Sequence, residues 1–147
     1  MDEREKIIRH LKDFFDEKAS FYGLEMVFLF GSWARGFPRQ NSDIDIAVVF
    51  SQDLSDEDYF ERMTDISVLL STELKREVNV IPIYKDFRKP MLYYNAIISG
   101  MAIYILEGDQ YVKMKNDAIF HMEDYSIWGP KWLYEVTRKN LEGLKHA

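Results

Sequence analysis

The sequence predicts a mixed α/β domain, with a four-stranded mixed sheet flanked by helices, over its 147 residues. Two observations predict it. Apolar residues change repeatedly between helical spacing and strand-like runs, and a breaker such as Gly23, Gly31 or Gly100 stands at the changes. No repeat, low-complexity segment or long linker divides the chain, so residues 1–147 are expected to form one domain.

The elements follow in order. Residues 2–18 place Ile7, Ile8, Leu11, Phe14 and Phe15 on one stripe of an amphipathic helix. After Gly23, the nearly continuous apolar run from Leu24 to Phe30 reads as a buried strand. Gly31-Ser32 breaks it, and Gly36, Pro38 and Asn41-Ser42 keep the next stretch looped. From Asp43 to Phe50 residues alternate: Ile44, Ile46, Val48 and Phe50 share one face, and Asp43 and Asp45 begin the other. Ser55 followed by Asp58 resembles a capping box, and Tyr59, Met63, Ile66, Leu70 and Leu74 continue at helical spacing.

Val78 to Tyr84 is a third strand, with Pro82 marking its end or an edge position. Pro90 starts a helix through Met91 to Ile98, Gly100 punctuates, and Met101 to Leu106 is a fourth strand. The core spans about 5–107. The remainder, 109–147, is expected to be helical in two pieces broken at Gly129-Pro130.

Composition narrows the function. Hydrophobic content of 47% with 30% charged residues is that of a soluble globular protein. With no cysteine there is no disulfide, thiolate metal site or cysteine nucleophile, and His10, His121 and His146 lie too far apart for a metal-spacing motif. The opening M-D-E-R-E-K lacks a signal-peptide core and no apolar run approaches a membrane span, so a cytoplasmic location without membrane attachment is expected. A net charge of −6 carries no basic footprint for counterion displacement from polynucleotides, which favours a small nucleotide or a protein partner over direct nucleic-acid binding.

The chemistry concentrates between Phe30 and Phe50, where the chain reads G-S followed ten residues later by D-x-D. Strand residues two apart point to the same side, so Asp43 and Asp45 project their carboxylates together. Adjacent carboxylates repel unless a cation lies between them, and Mg²⁺ suits such a pair because it prefers oxygen ligands and shares its shell with phosphates. Gly31 permits a tight turn with close backbone approach, Ser32 adds a hydroxyl, and a helix beginning there would aim N–H groups at an anion. A metal clamp beside a phosphate cradle meets the main needs of phosphoryl-type transfer. Alone, a G-S pair is more often a simple turn, and a D-x-D more often the polar start of a strand. Their joint placement between two strands carries the signal.

G-S-W-A-R-G followed by S-D-I-D-I resembles the nucleotidyltransferase fold of the DNA polymerase beta superfamily. More narrowly, it resembles the minimal nucleotidyltransferase (MNT) antitoxins of prokaryotic toxin–antitoxin modules, whose partners are HEPN-domain toxins. The resemblance covers residues 5–107 in element order, with a close match only over 30–50. It implies that Gly31 and Ser32 contact nucleotide phosphates, that Asp43 and Asp45 bind Mg²⁺, and that Arg35 supports the phosphates or the loop. As a lone arginine, Arg35 is equally a surface ion-pair partner.

The same pattern implies a third acidic residue on a later strand. Here the matching stretch is R-E-V-N-V-I-P, and the position falls on Asn79. An asparagine oxygen can ligate metal, but the neutral amide cannot accept a proton as a base. General-base assistance contributes ~10²–10⁴-fold to rate, so its absence slows transfer without abolishing nucleotide binding. Asn79 can also serve structurally by orienting Asp43 or Asp45. Glu77, two residues earlier, reads as an exposed charge at the end of the helix-to-strand loop.

Two further segments stand out. Tyr125 to Tyr134 is aromatic, and Trp128 and Trp132 either pack the last helix on the sheet or anchor a partner. R-E-K-I-I-R-H superficially resembles an arginine–histidine ribonuclease motif. Its helix stands apart from any HEPN-like bundle, so Arg4 and His10 are expected to face solvent.

The resemblance implies an Mg²⁺-dependent antitoxin that transfers AMP from ATP to a hydroxyl, by family analogy a tyrosine, of a cognate HEPN-type toxin. Asp43, Asp45 and Asn79 form its catalytic set. Two alternatives are a catalytically weakened antitoxin that neutralises its toxin by binding, and a small-molecule nucleotidyltransferase. Homodimer and hetero-oligomer both remain open.

Overall fold

The computed structural model describes residues 2–36 and 42–124. Its elements are α1 (Glu3–Tyr22), β1 (Leu24–Phe30), α2 (Ser32–Arg35), β2 (Ile44–Phe50), α3 (Asp56–Leu74), β3 (Val78–Pro82), α4 (Pro90–Ile97) and β4 (Met101–Ile105). A fifth helix, α5, covers residues 108–124. The break at Gly129-Pro130 and the aromatic segment with Trp128 and Trp132 lie outside the described residues.

Local chemistry sets most boundaries. Asp2 caps α1 by accepting from the Glu5 N–H, and Gly23 ends it in the left-handed conformation with its N–H on the Ala19 and Ser20 carbonyls. The helix therefore runs four residues beyond the predicted end at residue 18. Ser55 caps α3, its hydroxyl accepting from the Asp58 N–H at 3.1 Å. Pro90 occupies the start of α4, where its missing N–H costs nothing.

The four strands form one mixed sheet in the order β3-β2-β1-β4. β1 runs antiparallel to both β2 and β4, and β2 runs parallel to β3. Pro82 ends β3 on the sheet edge, where a proline is tolerated. Ile44, Ile46, Val48 and Phe50 share one buried face with Leu24, Val27 and Leu29, covered by α1 and α3. Ala47 and Val49 join Met26 and Phe28 on the opposite face, beneath α4 residues Tyr93, Ala96 and Ile97 and α5 residues Met114 and Ala118. Burial on both faces explains why β1 reads as a continuous apolar run.

Leu24 and Val27 share a face although three residues apart, because the β1–β2 register shifts between Leu24 and Met26. Glu25 sits at this bulge, almost fully buried, and accepts from Lys85 Nζ at 3.0 Å, which compensates its charge.

Candidate active site

Three chain segments meet at one end of the sheet. β1 ends at Phe30, which pairs with Asp45 of β2, and Asp45 pairs in turn with Asn79 of β3. The turn after β1, the start of β2 and the start of β3 are thereby adjacent. Asp43 lies just before the strand, and the neighbouring Ile44 N–H is held by the Glu77 carbonyl at 2.9 Å. Glu77 contributes that carbonyl, and its side chain is exposed.

Asn79 bridges the carboxylates. Its amide nitrogen donates to Asp45 Oδ1 at 3.4 Å and to Asp43 Oδ2 at 3.5 Å. Both side chains thus lie on one side of β2, as the D-x-D spacing requires. Both contacts are at the long limit of a hydrogen bond and come from a neutral group, so they offset little of the repulsion between two anions. Burial holds the Asp45 carboxyl above the ordinary aspartate range; the Asn79 hydrogen bond opposes this, and the negative charge of Asp43 adds to it. Among the described residues no group of three or more His, Cys, Asp or Glu side chains comes together as a metal site.

Gly31 is fixed by its conformation and by its neighbour. Its φ of 75° and ψ of −155° fall where only glycine is unstrained, and a Cβ built there would lie 2.5 Å from Asp45 Oδ2. The turn after β1 therefore presses directly on the D-x-D strand. Ser32 begins α2, but this helix is a single turn and its dipole is correspondingly small. Arg35 ends α2 exposed and forms no ion pair with a described residue.

Several residues at this end were not legible as site components. Trp33 is 2% exposed and donates Nε1 to the Ser42 carbonyl at 3.1 Å, joining the two ends of the segment between α2 and β2. A tryptophan directly after the Gly31-Ser32 turn was the available signal, because a buried indole N–H needs an acceptor. Arg4 does not face solvent as expected: it is half-buried and donates to the carbonyls of Trp33 and Ala34 at 2.8 and 3.0 Å. His10 is partly exposed, and instead of facing only water it contacts Glu73 Oε2 at 2.6 Å, tying α1 to α3.

A cavity of about 810 Å³ lies elsewhere. Phe21, Tyr22, Phe60, Arg62 and Val68 line it, between the end of α1 and the first half of α3. Gly23 and Ser51 mark that end of β1 and β2, opposite to Gly31 and Asp43. At the carboxylate end, Asp43 is exposed and Asp45 half-buried.

A four-stranded mixed sheet with a Gly-Ser turn packed on a strand-borne carboxylate pair defines a nucleotidyltransferase-type fold. Residues 6–108 match the family described as Polymerase beta, Nucleotidyltransferase, and the chain belongs to that family.

Solved structures agree at the level of fold. A chain of a toxin–antitoxin complex with AMP-PNP superposes with a TM-score of 0.64 at 20% identity, over 92% of this chain and 99% of that one. A chain from the tri-AMPylated Shewanella oneidensis HEPN toxin in complex with MNT antitoxin gives a TM-score of 0.62 at 16% identity, over 88% and 98%. A further Shewanella oneidensis structure gives 0.60 at 16%, over 87% and 97%. Among curated proteins no significant match is found. No described helix is long and apolar enough to cross a membrane.

Proposed function

We propose that this chain is an Mg²⁺-dependent minimal nucleotidyltransferase acting as an antitoxin, with ATP as substrate and a tyrosine hydroxyl of a cognate HEPN-type toxin as acceptor. Residues 1–147 act as one domain in this reading. The observation that carries it is the meeting of Gly31, Asp43, Asp45 and Asn79 at one sheet end in a member of the polymerase beta nucleotidyltransferase family. The similar solved folds support the partner class, since one is described as a HEPN toxin with MNT antitoxin and another as a toxin–antitoxin with AMP-PNP.

The donor set fits a hard divalent cation. Two carboxylates face one side with only a neutral amide at 3.4–3.5 Å between them, and the amide has an oxygen to offer if its plane turns. Asp43 and Asp45 would hold Mg²⁺, with Asn79 orienting them. Bound Mg²⁺ supplies charge neutralisation of the triphosphate.

The chain's own residues do the rest. Gly31 lets the backbone approach the phosphates, Ser32 offers its hydroxyl, and Arg35 adds a positive charge beside them. The acceptor oxygen bonds to the α-phosphorus, the α–β anhydride bond breaks, and pyrophosphate leaves. Because Asn79 cannot take the hydroxyl proton, that proton passes to water, and transfer is slow for the family. Asp45→Asn in a folded protein is expected to abolish AMP transfer to the purified toxin. Transfer at the wild-type rate would overturn the assignment.

A second reading is favoured by Asn79 itself: an antitoxin that neutralises its toxin by occupying it. Under it, Asp43→Asn and Asp45→Asn still protect cells, whereas substitutions at Trp128 or Trp132 do not. A cell-rescue assay separates the two.

A further inference from the structure

Glu3 and Arg4 belong to the first turn of α1, yet Arg4 engages the segment that follows β1 and Glu3 pairs with Arg76, which lies against the same segment. Arg4 uses two nitrogens of its planar fork, Nε to Trp33 O at 2.8 Å and Nη2 to Ala34 O at 3.0 Å. These carbonyls form the end of α2, where a helix leaves acceptors for outside donors. Glu3 pairs with Arg76, whose guanidinium carbon lies 4.9 Å from the centroid of the Trp33 ring. Trp33 completes the connection by donating to Ser42, next to Asp43.

An isolated four-residue helix has no stability of its own, because a first turn orders several dihedrals for very few hydrogen bonds. Gly31, immediately before it, has the widest backbone freedom of any residue, so surrounding contacts must select its one conformation. Packing of Trp33 supplies part of that restraint. Arg4 adds to it from outside the segment, with charge-assisted bonds to two successive carbonyls that a lysine ammonium cannot match.

We infer that Arg4 is a positioning residue of the nucleotide site: it anchors the carbonyl end of α2 and thereby holds the Gly31–Ser32 turn against Asp45. The inference rests on the reading of Gly31 and Ser32 as phosphate contacts. It makes the start of α1 part of the site's machinery, although that helix contributes no group to the ligand.

The test uses Arg4→Gln and Arg4→Lys in the full chain, with three readouts. Calorimetric titration with Mg²⁺·AMP-PNP reads the nucleotide site, titration with Mn²⁺ alone reads the carboxylates, and hydrogen exchange of the amides over 32–36 reads the turn. Arg4→Gln is expected to weaken AMP-PNP binding about tenfold, the scale of one charge-assisted hydrogen bond. Mn²⁺ binding stays unchanged, exchange over 32–36 accelerates, and Arg4→Lys falls between Arg4→Gln and wild type.

Wild-type AMP-PNP affinity in either folded variant would overturn the inference and leave Arg4 a stabilising contact only. If Arg4→Gln does not fold, Arg4→Lys decides alone, because it keeps the charge and one of the two bonds. If the wild-type protein binds Mn²⁺ but not Mg²⁺·AMP-PNP, the nucleotide reading itself fails and the positioning role falls with it.

Discussion

Gly31→Ala probes the contact between the turn and the carboxylate strand. The added methyl carbon would lie 2.5 Å from Asp45 Oδ2, whereas real Cβ contacts essentially never fall under 3.0 Å. Either the carboxylate retreats by about 0.5 Å or the turn does, and binding constellations tolerate about that much before they fail. The backbone adds its own cost. At φ 75° and ψ −155° a residue with a Cβ is strained by about 1–3 kcal/mol. For a domain of this size that corresponds to a fall in Tm of roughly 2–12 °C.

The two costs separate in the assay. Thermal unfolding in the presence of chelator reads the strain, and calorimetric titration of Mg²⁺·AMP-PNP into the folded variant reads the carboxylate. The expected outcome is a moderate loss of Tm with loss of metal-dependent nucleotide binding at temperatures where the variant is fully folded. A Gly31→Ala protein that melts and binds like wild type would refute the packing of this turn on Asp45.

Three further expectations follow from named contacts. Burial raises the Asp45 pKa above its unfolded value, so the folded state holds that proton more tightly and stability falls as pH rises from the unfolded to the folded value. Asp45→Asn is therefore expected to make the chelated protein more stable than wild type at pH 7. That difference shrinks to nothing below pH 3.8, which denaturant unfolding across pH would read directly.

Asn79→Asp replaces the bridging amide with a third anion. It should lower Tm in chelator, regain stability with Mg²⁺, and raise AMP transfer by about 10²–10⁴-fold if the missing base limits the rate. A Tm that does not respond to metal would argue against Asn79 as part of the site. Gly100→Ala would place a Cβ 2.2 Å from the Ala96 carbonyl oxygen and 2.6 Å from that of Leu29, both backbone atoms. The expected loss is about 3 kcal/mol, read as a lowered urea midpoint with an unchanged slope.

Much of the molecule was legible because its determinants are local. The strand from Leu24 to Phe30 and the faces of Ile44, Ile46, Val48 and Phe50 follow from period-two alternation and runs of apolar residues. The Ser55 cap and the Pro90 start follow from which groups a helix end leaves unpaired. That Asp43 and Asp45 share a side is likewise a property of three consecutive residues.

The end of α1 was misplaced by the same logic. Phe21 is 82% exposed and breaks the apolar stripe, so the last turn is held by the Gly23 cap and by buried Ala19 and Tyr22. The role of Arg4 was illegible for a different reason. Nothing within its own helix distinguishes an arginine that meets solvent from one that reaches carbonyls 29 and 30 residues away.

By itself, the sequence determined most of the described elements to within a few residues, their buried faces, and the presence of a carboxylate pair ten residues after a glycine-serine turn, all encoded within a few residues of each other. The tertiary structure decided what those groups meet. The order β3-β2-β1-β4 and the registers Phe30 to Asp45 and Asp45 to Asn79 put Gly31 against one carboxylate and the Asn79 amide on both. Strand order is fixed by how two sheet faces bury against helices far apart in the chain, and that competition has no signature in any short window of residues.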